Sequence, residues 1–312
     1  MALYRDGFPE DSSDFREYFF DNVLDMEEPI YREENGEIIS CGHIVNKRMK
    51  YYDSVITLPY LVAVSTLTPY RGHGKVENVI YRALERADSA HIPFVALHPF
   101  SHDYYKKYSF VTVDKEYNVS TLDELGGTLT PTHDIDALYG VYRSYEAMHD
   151  ICVHRDRENI ERRVSLLDVD AGDTYIIENN GNIAGYVMAY DNDIEELVVR
   201  DNSILDIENK GTRPNIMMRV VDVCSTLRMV HYCDNVCTQV VLRIVDRFYV
   251  NRLVLLDISD GKVDARLIDK DVDSIPSIDI TVEELTLYVL GISDVEGLPH
   301  MVRSHIHLVD KY

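Results

Sequence analysis

No run of apolar residues in this sequence approaches the ~20 needed to cross a bilayer as a helix, which argues against a membrane span. Residues 1–13 are polar and acidic and lack the apolar core of a signal peptide. The chain is therefore expected to stay in the cytoplasm. Cysteine is scarce: Cys41, Cys152, Cys224, Cys233 and Cys237, an odd number with no C-x-x-C pair. That disfavours a disulfide framework and fits a reducing compartment. Cys224, Cys233 and Cys237 gather around His231, but their spacing matches no common zinc pattern. They read more simply as small buried hydrophobes, and no metal is expected. Basic residues are also short, 31 against 54 acidic ones, for a net charge of −23. Polyanion binding rests on cationic neutralisation, so nucleic acid is excluded as a main ligand. An acidic field instead concentrates cations, amines among them, although solubility alone also accounts for such a charge. There is no low-complexity tract and no long charge run.

What is present is a chain of 312 residues with 46% hydrophobic composition. That is enough for a sizeable core and, at this length, for two or three domains. Residues 14–24 follow a Ser-Ser-Asp start and read as an amphipathic helix. Asn35-Gly36 followed by an apolar run reads as a hairpin and strand, and residues 60–66 as a buried strand. A helix is expected over about 74–90, strands at 93–97 and 110–113, and a short helix at 104–108. The stretch 126–132, rich in Gly, Thr and Pro, reads as a linker. Helices at 134–149 and 157–167 precede a hairpin over 174–190 around Asn180-Gly181. Asn180-Gly-Asn-Ile echoes Asn35-Gly-Glu-Ile, and each is followed some way on by a strand rich in Leu and Val. The echo suggests two copies of one unit; chance similarity of two hairpins explains it as well. From Gly211 onward the pattern is helix (215–231), strand (251–257), strand (278–281) and helix (282–290), a small α+β unit.

The most informative stretch is Val64-Ser-Thr-Leu-Thr-Pro-Tyr-Arg-Gly-His-Gly-Lys75, where a strand ends, a glycine loop turns and a helix begins. Helix N-termini leave backbone N–H groups unpaired and carry a partial positive charge of ~0.5. Glycines let the backbone approach an anion closely. Arg71, His73 and Lys75 add positive character. The pattern lacks the Gly-x4-Gly-Lys-Ser/Thr of a P-loop and has only the first half of a dinucleotide fingerprint. A plain turn without a ligand remains the alternative at this point.

These residues resemble the pyrophosphate-binding motif of the GNAT acetyltransferases, Arg/Gln-x-x-Gly-x-Gly/Ala, with Val76 where a small residue is usual. The resemblance is closest to the enhanced intracellular survival (Eis) type, which has two tandem GNAT-like units and a C-terminal domain similar to sterol carrier proteins. It implies an α+β fold of two tandem GNAT-like acyl-CoA N-acyltransferase units followed by a sterol-carrier-protein-like α+β domain. The segments would be 1–124 with the acetyl-CoA site, 125–210 without a cofactor, and 211–312. Val64, Ser65 and Thr66 would pair with the pantetheine arm from a splayed strand. Arg71, Gly72, His73, Gly74, Lys75, Val76 and Glu77 would wrap the pyrophosphate. Phe100 and Ser101 would touch the cofactor from the other side. Tyr105 falls where the family places its general acid; Tyr105-Lys-Lys-Tyr-Ser-Phe110 is similar to Tyr-x-x-Phe-Gly-Phe/Tyr, with Ser109 in place of Gly. The terminal carboxylate, here on Tyr312, enters the active site in that family. The implied activity is acetyl transfer from acetyl-CoA to an amine, on a small molecule, a polycation or a lysine. A homo-oligomer is plausible for the family. After Asp201 no glycine loop follows the second strand pair, so one cofactor site per chain is expected. The rivals are a catalytically silent binding protein and a lipid or sterol carrier acting through 211–312.

Overall fold

The computed structural model describes residues 2–24, 29–200, 211–232, 236–259, 262–301 and 303–308. The chain opens with short helices α1 (Ala2–Gly7) and α2 (Ser13–Tyr18), the latter capped by Ser12 Oγ, which accepts from the Phe15 N–H. A π-turn over Phe19–Val23 follows, and Tyr4, Phe19, Phe20 and Leu24 bury against one another. Strand β1 (Ile30–Glu34) turns into β2 (Glu37–Tyr51) across Asn35 and Gly36. Both turn residues have positive φ, 54° and 82°, as a tight hairpin whose twist matches its strands requires. Next come β3 (Ser54–Thr66), α3 (Glu77–Ser89), β4 (Phe94–Leu97), α4 (His102–Lys106), β5 (Val111–Thr112) and β6 (Lys115–Tyr117).

The middle of the chain gives β7 (Thr128–Pro131), α5 (Ile135–Ala147), β8 (Ile151–His154), α6 (Arg157–Val169), β9 (Asp173–Asn179), β10 (Asn182–Tyr190) and β11 (Asp193–Val199). Helix α6 begins in a reciprocal cap between Asp156 and Asn159, which satisfies two of its orphan N–H groups. The last part gives β12 (Thr212–Pro214), β13 (Met217–Val220), α7 (Val223–Arg228), β14 (Thr238–Val245), β15 (Arg252–Ser259), β16 (Lys262–Leu267), β17 (Ser277–Thr281), α8 (Val282–Val289) and β18 (Ile306–His307).

Three larger sheets result. The first runs β18-β8-β2-β3-β4-β13-β5, with β1 also on β2; the second runs β11-β10-β9-β7; the third runs β16-β15-β14-β17. The first sheet takes strands from widely separated parts of the sequence, because β8, β13 and β18 all join it. The helix expected over 215–231 is corrected here: it divides into β13 and the short α7. Ile216, Met217, Met218, Val220 and Val221 are all buried. A strand enclosed on both faces reads as a continuous apolar run, and periodicity cannot tell it from a buried helix. Met49, Tyr51, Phe94 and Met218 of the first sheet share one core with Leu242, Leu256 and Leu285 of the third sheet and its helix. The opposite face of the first sheet buries α3 through Val79, Ile80, Ala83 and Leu84. No helix among the described residues is long and apolar enough to cross a membrane.

Candidate active site

Strands β3 and β4 run parallel, and among the described residues they pair at one point, Tyr60 with Ala96. Beyond it β3 continues for six more residues to Thr66 without β4 beside it, so the two strands form a fork. A bulge marks the divergence. The register with β2 slips between Cys41–Ser65 and His43–Val62, which sets Gly42 against both Ala63 and Val64. Ala63 adopts φ 51°. Such an extra residue bends a strand and increases its twist. Gly42 is required opposite it, since a Cβ there would lie 2.9 Å from Val79 Cγ1. The edge of β3 past Tyr60 therefore offers peptide groups to whatever enters the fork. The Ser65 carbonyl accepts from Ser40 Oγ at 3.0 Å, and the Thr66 carbonyl from Arg71 Nε at 2.9 Å.

The glycine loop follows directly. Residues 71–76 form successive turns, with Gly72 at φ 77° and Gly74 at φ 67°. Space is open where a Gly72 Cβ would stand. Helix α3 starts at Glu77 with Val76 at its N-cap and no side-chain cap; the Glu77 N–H donates to the Gly74 carbonyl at 3.2 Å, and the next N–H groups of the first turn are left to another acceptor. The cations beside the loop are engaged. Arg71 donates to Asp6, and Lys75 donates to Glu34 at 2.7 Å. The Lys75 ammonium, first among the causes, lowers the Glu34 pKa. His73 is exposed. The Glu77 carboxylate carbon lies 3.3 Å from where a Gly74 Cβ would be, so a negative charge rests against the loop. The loop's hold on an anion thus comes mainly from backbone N–H groups and the helix end.

Across the fork, Ser101 caps α4 by accepting from the Tyr104 N–H, and Phe100 is 77% exposed with its ring 5.1 Å from Tyr104 and 5.7 Å from Tyr105. Tyr105 is buried in the same cluster as Leu61, Val76, Leu97 and Met217. Fork, loop helix and Tyr105 therefore meet in one apolar cluster. Burial, with Tyr104 beside it, pushes the Tyr105 phenol well above its ordinary value, so it keeps its proton. Ser109 stands at φ 61°. That left-handed conformation explains why glycine suits this position and costs a serine of order 1–2 kcal/mol.

A buried polar link joins distant parts of the chain. The His102 ring hydrogen-bonds the Asn215 carbonyl at 2.9 Å; Asn215 Nδ2 donates to Asp114 at 3.3 Å; and the Leu308 N–H donates to Asp114 at 2.9 Å. This ties β18 to the start of α4 through Asn215. Burial raises the Asp114 pKa to about 6, against the opposing effect of the Leu308 N–H. Nothing local in the sequence marks Asp114, whose partners lie about a hundred and two hundred positions away. Tyr312 lies outside the described residues, as does Cys233. Among the described residues no group of three or more His, Cys, Asp or Glu is placed to hold a metal ion.

Comparison with known proteins bears on this arrangement. Residues 1–113 match the family model of the acetyltransferase (GNAT) domain. The matched residues contain the fork, the glycine loop and Tyr105. No curated protein matches the sequence. Among solved structures, the chain is similar to a conserved protein of unknown function from Enterococcus faecalis, described as a probable N-acyltransferase. There the identity is 14% and the TM-score 0.78, covering 100% of this chain and 95% of that one. It is similar to a GCN5-related N-acetyltransferase from Anabaena variabilis at 15% identity and TM-score 0.66, covering 92% and 86%. It is also similar to Eis1 from Mycobacterium abscessus at 13% identity and TM-score 0.65, covering 93% and 86%. At these identities the likeness shows the fold.

Proposed function

We propose that this protein is an acetyl-CoA-dependent N-acetyltransferase that acetylates an amine. The observation that carries the reading is the sequence of structures along one strand: a fork past Tyr60, then a positive-φ glycine loop, then an uncapped helix N-terminus. The fork suits a pantetheine arm, which pairs like an extra strand, and the loop suits a pyrophosphate. Phe100 offers an exposed aromatic face to the cofactor, and Val64, Ser65 and Thr66 line the strand side. Arg71 and Lys75 stiffen the loop through Asp6 and Glu34 more than they supply net charge to it.

The acetyl thioester supplies the electrophilic carbon. An alkyl ammonium has a pKa of ~10.4, so the acceptor must lose a proton before or during attack. The tetrahedral intermediate carries an oxyanion, which N–H groups on the free edge of β3 stabilise. Tyr105, kept protonated by burial, donates a hydrogen bond to the departing thiolate as charge develops on sulfur.

The fuller likeness to the Eis type, with tandem units and a sterol-carrier-like third unit, belongs to this proposal. It is supported by overlaps that span nearly the whole chain. A lipid-carrying role is disfavoured because the apolar face of the third sheet is spent on packing against the first. A lysine-like or polycationic acceptor is what the net charge of −23 favours. That charge acts through the long-range field.

The test is calorimetric titration of acetyl-CoA into the protein. One-to-one binding, abolished by replacing Gly72 and Gly74 with valine, supports the reading and opens an amine screen. Absence of binding at millimolar acetyl-CoA sinks it.

A further inference from the structure

Tyr105, the hydrogen-bond donor to the departing thiolate in the proposed reaction, sits on α4, a helix of five residues. A helix this short is not stable alone, so its surroundings decide where the phenol points. Tyr108 follows the helix, and its N–H donates to the Tyr105 carbonyl at 3.0 Å. The two rings lie 6.4 Å apart, and Tyr108 is buried.

What holds Tyr108 comes from the far end of the chain. The Phe248 ring packs on the Tyr108 ring at 4.8 Å and 68°, the edge-to-face arrangement that aromatic pairs prefer. The Tyr108 carbonyl accepts from Arg219 Nη1 at 2.6 Å, and Arg219 Nη2 pairs with the Asp246 carboxylate. Arg219 and Asp246 are both buried, where either charge alone is costly.

Asp246 and Phe248 belong to one loop, residues 246–251, between β14 and β15 of the third sheet. The loop is closed from within. Asp246 Oδ1 accepts from the Phe248 N–H at 3.1 Å and the Tyr249 N–H at 2.9 Å, and Asn251 Oδ1 accepts from the Asp246 N–H at 2.8 Å. One carboxylate thus shapes the loop through one oxygen and pairs with Arg219 through the other. The other side of the loop grips α3. The Tyr249 hydroxyl donates to Asp88 at 3.1 Å, and Arg252, the first residue of β15, pairs with the same carboxylate at 2.5 Å. Asp88 lies in the last turn of α3, the helix that begins just after the glycine loop. The loop therefore touches both the helix of the phosphate site and the segment that carries Tyr105.

We infer that the loop 246–251 is a brace, in which Phe248 and Asp246, acting through Tyr108, position the Tyr105 phenol toward the departing thiolate. The inference rests on the acetyltransferase reading. Phe248 and Asp246 are positioning residues, and the third sheet then serves catalysis without a ligand of its own.

The test follows thiol release from acetyl-CoA with spermidine, Nα-acetyl-lysine and n-butylamine as acceptors. Phe248 is half-buried, so Phe248→Ala is expected to fold, which its melting temperature checks; Phe248→Leu takes its place if it does not. In the variant kcat should fall about tenfold or more, the scale of a small misplacement, while the acetyl-CoA KM holds. Phe248→Tyr, which keeps the ring, should restore kcat. The same substitution is then made in Tyr105→Phe. If Phe248 acts through the Tyr105 hydroxyl, kcat there falls no further, as the non-additivity of coupled residues requires. Equal losses in the two backgrounds overturn the inference, and so does a kcat indifferent to Phe248; both leave the acetyltransferase reading standing. A wild type that turns over none of the three amines removes that reading, and the inference with it.

Discussion

The first and second strand sets of this chain begin alike and end differently. Each opens with an Asn-Gly hairpin turn in the left-handed region, at Asn35-Gly36 and at Asn180-Gly181. Each continues into an antiparallel pair with a register slip, β2 with β3 and β10 with β11. In the first set, the strand after the slip has a parallel neighbour to diverge from, and a glycine loop follows it. In the second, β11 is the edge of its sheet, and Glu196 on it is buried against Arg155, Arg163 and Tyr186. The first arrangement keeps peptide groups and a helix end available for a ligand. The second spends its polar groups on one another. A shared hairpin is therefore no guide to a shared site; the fork is.

The largest expected effect breaks the second set. Glu196→Ala takes this carboxylate from the buried Arg155 and the partly buried Arg163, a loss of about 3–5 kcal/mol, read by denaturant unfolding. Acetyl-CoA affinity of the variant that remains folded should be unchanged. The same carboxyl has a depressed folded-state pKa. Its contribution is therefore present above the unfolded value of ~4.3 and is lost as pH falls below it. Acid unfolding of the wild type should begin in that range and be blunted in Glu196→Gln.

Replacing Gly72 and Gly74 with valine breaks the first set. Positive φ at both positions disfavours a β-branched residue, and acetyl-CoA affinity should drop by at least about a hundredfold by calorimetry, a loss of ~2.7 kcal/mol. Gly181→Ala, at the same kind of turn in the second set, should cost only of order 1 kcal/mol of stability and leave the affinity alone. Tyr105→Phe should lower kcat by about 10²-fold, the low end for a positioned acid, with acetyl-CoA affinity held. A smaller effect is expected at Asp114. Its folded-state pKa is raised to about 6, so its favourable contribution is complete below ~3.9 and is lost as pH rises through about 6. Asp114→Asn should flatten the change in melting temperature between pH 4 and 6. The smallest effect sharpens the comparison. Glu77→Gln removes a negative charge beside the loop at a helix N-terminus, and acetyl-CoA should bind two- to fivefold tighter, the scale of ~0.3–1 kcal/mol.

Much of this was legible where the signal is local. The two Asn-Gly turns, the glycine loop and the amphipathic helices are written in neighbouring residues, and α3, α5 and α6 lie close to where periodicity puts them. The start of α3 was three residues early, because loop glycines and helix formers overlap there. Residues 217–220 were illegible for a physical reason: a strand covered on both faces has no alternation to display. The link from His102 through Asn215 to Leu308 was equally hidden.

The insertion of β13 between β4 and β5 has a consequence during synthesis. When β4 leaves the ribosome, the strand that will cover its edge is still 123 residues away, Leu97 to Val220. At ~5–20 residues per second this interval lasts roughly 6–25 s. Throughout it the apolar edge of β4 stands open, the kind of template on which chains aggregate. The nascent protein should therefore depend on holding chaperones more than its size suggests, and a chain arrested before residue 217 should precipitate rather than fold its first sheet.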